Sequence, residues 1–199
     1  MKKVAFTLIL ALPLLMAGIP HEPPPPLELT PNESAKIDKR KVVTRTIASE
    51  TGGYSTGIID VNAPPDDLWD SIFDFSARVD EISSLKSVDN YGRSKEPDVA
   101  ARWVVSVLRQ PIVFHIQYKV DRARGWCRYW LDTSRENDIV AVQGAYQVFS
   151  TPMGSRFVYR SSMDSGRRIP TWIQNWFANG SLTEQMEGIR NRAESPSPH

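Results

Sequence analysis

The side chains that most often carry chemistry are scarce in this chain. It has 3 histidines, His21, His115 and His199, and 1 cysteine, Cys127. A zinc site needs three or four histidine, cysteine or carboxylate ligands brought together, and a nucleophilic triad needs a histidine beside its serine. His21 and His199 sit near the chain ends, and His115 falls on the polar side of an alternating run. Neither a metal site nor a triad is therefore expected, and a lone cysteine excludes an internal disulfide. No P-loop and no glycine-rich dinucleotide fingerprint is present. The sequence calls for no catalytic residue, no metal and no cofactor.

What it offers instead is a set of aromatic and aliphatic side chains at positions that would share one face: Trp103, Val105, Phe114, Ile116, Tyr118, Tyr146, Phe157, Tyr159, Ser161, Trp172, Ile173, Trp176 and Phe177. Such residues either interdigitate as a filled core or line a pocket for an apolar molecule, oriented by a few polar atoms such as the tyrosine hydroxyls and Ser161. They are the candidate ligand-binding residues.

The elements that would position them read as follows. Val42 to Ile47 and Ser55 to Val61 flank Glu50-Thr51-Gly52-Gly53 and form a hairpin. Pro64-Pro65-Asp66-Asp67 opens a helix, with proline in the first turn and carboxylates at the positive end of the dipole. Leu68, Trp69, Ile72, Phe73 and Phe75 give that helix an apolar face, and a second short helix follows around Ala77 to Ser83. Period-2 alternation then marks half-buried antiparallel strands. Ala101, Trp103, Val105 and Val107 point one way; so do Ile112, Phe114, Ile116, Tyr118 and Val120; Val142, Gly144, Tyr146 and Val148; and Phe157, Tyr159, Ser161 and Met163. Trp126 to Leu131 is apolar on both faces and has no assignable direction. A helix from Ile169-Pro170 to about Ala193 would cover this sheet. Its stripes, Trp172 to Phe177 and Leu182 to Ala193, lie roughly 140° apart, so a kink at Gly180 is expected, with Ser181 to Glu184 as a capping box.

Composition bounds the rest. A 199-residue chain with 41% hydrophobic and 24% charged residues suits one domain with tails. Net charge of +1 gives no reason to expect nucleic acid. Arg102, Arg122, Arg124, Arg128, Arg156 and Arg160 read as a solvated face, whereas Arg167-Arg168 beside Trp172 and Trp176 suits a transient membrane-surface contact. Residues 1–18, Met1-Lys2-Lys3 followed by an apolar run of about 15 residues, read as a signal peptide. The expected location is periplasmic or secreted; retention by an uncleaved anchor stays open, because no small-x-small cleavage site stands out. Residues 19–41, rich in proline, glutamate and lysine, read as a disordered linker, 42–194 as the domain, and 195–199 as a disordered tail.

Four stretches carry a resemblance: Gly57 to Trp69, a strand running into a helix; Asp74-Phe75; Gly144-Ala145-Tyr146-Gln147-Val148; and Ile169 to Ile173 continuing to Glu194. Their order resembles the START-like, or Bet v 1-like (SRPBCC), superfamily, in particular its polyketide-cyclase and ubiquinone-binding-protein branch, with the leader marking an exported bacterial member. The resemblance implies an α+β helix-grip fold: a curved antiparallel sheet wrapped around a long C-terminal helix, with two small helices after the first strand of the domain. It also implies a cavity between sheet and helix for a lipid, isoprenoid or polyketide-like molecule, and no shared catalytic set. The expected function is non-catalytic binding or transport of a hydrophobic small molecule. The alternatives are a polyketide cyclase or aromatase-like enzyme, and an interaction domain with a filled core.

Overall fold

The computed structural model describes residues 23–92, 98–107, 109–166 and 182–195. Helix α1 (Pro31–Ile37) leads into the hairpin β1 (Val43–Ala48) and β2 (Gly52–Val61), followed by helices α2 (Pro65–Phe73) and α3 (Phe75–Glu81). Strands β3 (Leu85–Asn90), β4 (Asp98–Val107), β5 (Gln110–Asp121), β6 (Trp126–Leu131), β7 (Ala141–Thr151) and β8 (Gly154–Asp164) come next, and helix α4 (Leu182–Glu194) ends the order. The strands form one antiparallel sheet of 8 in the order β1-β2-β8-β7-β6-β5-β4-β3, open between β1 and β3. The two small helices follow the expected hairpin directly. No described helix is long and apolar enough to cross a membrane.

The chain turns twice at one residue. Pro65 takes the first turn of α2, where its missing N–H costs nothing, and Asp66 and Asp67 sit at the positive end. Asp74 then closes α2 and opens α3, its carboxylate accepting from the Ala77 amide at 3.2 Å. This sharp corner aims Leu68, Trp69 and Ile72 of α2 and Phe75 of α3 at the same face of the sheet, where all are buried. Helix α4 closes the same side over β2. A Cβ at Gly57 would lie 3.1 Å from the Met186 sulfur and 3.2 Å from Leu182, so the bare backbone there lets α4 seat closely. Glu194 fixes its end by accepting from the Asn62 amide at 2.7 Å and pairing with Arg40 at 2.6 Å.

The second half of the expected spacer, 19–41, is packed structure instead. Ile37, Val43, Ile58 and Val158 form a small cluster on the outer face, with Leu27 and Leu29 against it. Thr30 and Glu33 cap α1 reciprocally, Arg45 clasps the Glu33 carboxylate with two bonds of 2.7 Å, and the buried Gln147 side chain donates to the Pro24 carbonyl at 3.0 Å. The physical reason is that three aliphatic side chains plus a capping box suffice when a strand pair already offers an apolar face. The packed unit therefore begins before residue 42. The first 18 residues, and the tail beyond Ser195, lie outside the described residues.

Candidate ligand-binding site

Strand register assembles the predicted face. Trp103 pairs with Phe114, Tyr118 with Tyr129, Tyr146 with Tyr159, and Val148 with Phe157, each pair pointing inward from neighbouring strands. Trp103 and Phe114 stack with centroids 6.4 Å apart; Tyr146 and Tyr159 do so at 5.5 Å. Ile116 is buried in the same cluster, Val105 packs against it, and Ser161 is half-buried beside Gly144. The remaining predicted residues, Trp172, Ile173, Trp176 and Phe177, lie outside the described residues, as do Gly180, Arg167 and Arg168.

The helices contribute rings that the sequence reading left off the candidate face. Phe73 at the end of α2 meets Tyr118 edge-on at 5.9 Å, and Phe75 meets both Trp103 at 5.6 Å and Tyr118 at 5.5 Å. This end of the face is thus closed by α2 and α3. Tyr129 was missed because β6 is apolar on both sides; the structure turns Cys127, Tyr129 and Leu131 inward. The phenol end of its ring lies over Gly144, where a Cβ would come within 2.3 Å of it, and its hydroxyl donates to the Arg160 carbonyl at 2.9 Å.

Polar atoms are threaded through this apolar face. The Trp103 indole donates to the Tyr118 hydroxyl at 3.1 Å, fully inside the protein. Burial pushes the Tyr118, Tyr129 and Tyr146 phenols well above their ordinary range, so each stays a neutral hydrogen-bonding group. The unexpected member is Arg78 of α3, 0% exposed, with its guanidinium carbon 5.2 Å from the Phe75 ring centre and 5.7 Å from that of Trp103. A signal for it exists in the sequence: Phe75, Arg78 and Ile82 are spaced by three and four, so the arginine lies on the helix's apolar stripe.

The architecture can be matched to known ones. No family model matches the chain, and comparison with curated proteins by sequence gives no match. Solved structures do match. A STAR-related lipid transfer protein from Xanthomonas axonopodis superposes with a TM-score of 0.61 at 13% identity, over 77% of this chain and 93% of that one. A START superfamily protein from Mycobacterium smegmatis gives 0.54 at 14%, over 77% and 97%. The Zhui aromatase/cyclase from Streptomyces sp. R1128 gives 0.51 at 16%, over 77% and 90%. The chain has the START-like helix-grip fold.

Within that START-like fold, the other chemistry-bearing residues have structural posts. His115 is on the outer face, its Nδ1 3.2 Å from the Glu136 carbonyl, and helps pin the 132–138 loop. Among the described residues no group of histidine, cysteine and carboxylate side chains could hold a metal. Most of the arginines do face outward, in ion pairs: Arg102 with Asp89 at 3.6 Å, Arg122 with Asp70 at 2.7 Å, Arg124 with Asp121 at 2.6 Å, and Arg156 with Asp60 at 2.6 Å. Arg160 departs from the solvated-face expectation. It is buried on the outer side, because the N-terminal segment forms a second layer there, and burial lowers its pKa and that of Arg128.

Proposed function

We propose that this protein binds and carries a lipid or other hydrophobic small molecule against the inner face of its START-like sheet, and that it does so after export. The observation carrying this reading is the inner face itself: a continuous floor of rings from Trp103 to Tyr159 with neutral hydroxyls and a guanidinium set among them. An apolar surface with a few convergent polar groups is what a small-molecule site requires. The fold of a lipid transfer protein supports the same reading. A cyclase or aromatase reading draws on the fold of the Zhui aromatase/cyclase, but the inner phenols, lifted by burial, are poorly matched to acid–base work near neutral pH. The leader over residues 1–18 supports export, and Arg167-Arg168 supports a passing contact with anionic headgroups.

One preparation tests both parts. The full chain, expressed in a bacterium from Met1, is recovered by osmotic shock, purified and extracted into organic solvent for mass spectrometry. The expected result is protein in the periplasmic fraction carrying an apolar molecule, recovered chemically unchanged. Cytoplasmic retention would overturn export alone. Protein that holds nothing and takes up no added fatty-acyl probe would overturn the binding reading.

A further inference from the structure

Arg78 is an anomaly in an apolar interior. Its Nη2 donates to the carbonyl of Ile72 in the last turns of α2, while Nε and Nη1, which carry more than half of a guanidinium's donors, have no hydrogen-bond partner among the described residues. The group faces the sheet, since its charge and hydrogen-bonding reach the Tyr146 phenol and its charge reaches that of Tyr118. Asp74 is a carboxylate that feels it, but its Oδ1 accepts from the Ser76 hydroxyl at 2.7 Å and the Ala77 amide at 3.2 Å, and its Oδ2 lies 3.9 Å from Arg192. Rings, one carbonyl and a neutral phenol do not offset the desolvation of a charge, and removing a cation from water without an anion to meet it is strongly unfavourable. A chain that only needed to fill this space would have leucine or methionine on that stripe.

We propose that Arg78 anchors the headgroup of the ligand: the bound molecule is an amphiphile with an anionic oxygen headgroup, a carboxylate or a phosphate, that takes the unused donors of Arg78 while its chain lies along Trp103, Tyr118 and Tyr146. The inference rests on the binding reading and specifies its ligand class. Arginine suits both headgroups, being always charged, planar, and less strongly hydrated than lysine.

The test uses the delipidated full chain and compares oleate, methyl oleate and oleoyl lysophosphatidate, below their aggregation concentrations, by displacement of a fluorescent apolar probe. At least one of the two anions is expected to bind tenfold or more tightly than the neutral ester, and the tighter of them identifies carboxylate or phosphate. In Arg78→Met the ratio of anion to ester affinity should fall to within about twofold of one, a loss of roughly 1 kcal/mol or more of discrimination; Arg78→Lys should keep part of it. Equal binding of all three by the native protein overturns the headgroup assignment and leaves the binding reading standing. Binding of none overturns both. Should Arg78→Met not fold, the native comparison decides by itself; an undiminished preference in a folded Arg78→Met overturns the role of Arg78.

Discussion

Tyr129 shows how one small residue sets the floor of the site. Its ring can lie on the sheet, with its hydroxyl on the Arg160 carbonyl, because position 144 on the adjoining strand has no side chain. A methyl group at 144 would stand 2.1 Å from the Arg160 carbonyl oxygen and 2.3 Å from the Tyr129 ring. The backbone oxygen cannot move freely, so Gly144→Ala should destabilise the protein by about 2 kcal/mol or more, in the upper part of the range for overpacking. Urea denaturation of Gly144→Ala, Tyr129→Ala and the double variant would expose the coupling: the double variant should be more stable than the sum of the single losses requires. Strict additivity would mean that the two residues do not share space. Phe157, 0% exposed where β2, β7 and β8 meet, is the contrasting case. It packs edge-on against Tyr146 with centroids 5.7 Å apart, and Phe157→Ala should cost about 3–5 kcal/mol by the same measurement.

At the level of elements, the N-terminal strap of α1 and the segment before it is the part whose energetics can be read from pH. Hydrogen bonds from Arg45 hold the Glu33 carboxylate down from 4.5 to about 2. A carboxylate depressed in the folded state stabilises above its unfolded pKa and loses that contribution as pH falls through the folded one. The advantage of the native chain over Glu33→Gln in unfolding experiments should therefore be full above pH 4.5 and vanish only below about pH 2. An advantage independent of pH would show that Glu33 acts through packing. Ile37→Ala, truncating a side chain 2% exposed against Ile58, should cost about 2–3 kcal/mol. The strap also explains what was legible and what was not. Alternation identified β4, β5, β7 and β8 because those strands have one face in the core and one less covered. It failed at β6, where Trp126 is buried on the outer side opposite Gln147, which itself reaches Pro24. Two covered faces erase the period. It failed at β3 because that edge strand is short, polar and bulged between Leu85 and Ser87. Thr30-Pro31-Asn32-Glu33 carried a capping signal that the proline-rich composition around it obscured, and Arg78 was passed over because a charge on an apolar stripe is ordinarily assigned to solvent.

For the molecule as a whole, the sheet links the strap on its outer side to α2, α3 and α4 on its inner side through a continuous hydrogen-bonded ladder. A ligand on the inner face should then stabilise the fold as one cooperative unit, because it binds the native state and has no site in the unfolded chain. The size follows from mass action: at 100 times the dissociation constant, about 2.7 kcal/mol at 25 °C. For a chain of this size each kcal/mol moves the midpoint by about 2–4 °C, so saturating oleate or oleoyl lysophosphatidate should raise Tm by about 5–11 °C. The rise should keep growing with the logarithm of ligand concentration beyond saturation, which separates linkage from a nonspecific effect of detergent-like molecules, since those also bind and favour the unfolded chain. The Glu33 contribution, on the far side of the sheet, should be the same with and without ligand. Two separate transitions, with ligand moving only one, would mean that the strap folds independently of the site. No change in Tm at concentrations where binding is measured directly would place the ligand outside the inner face.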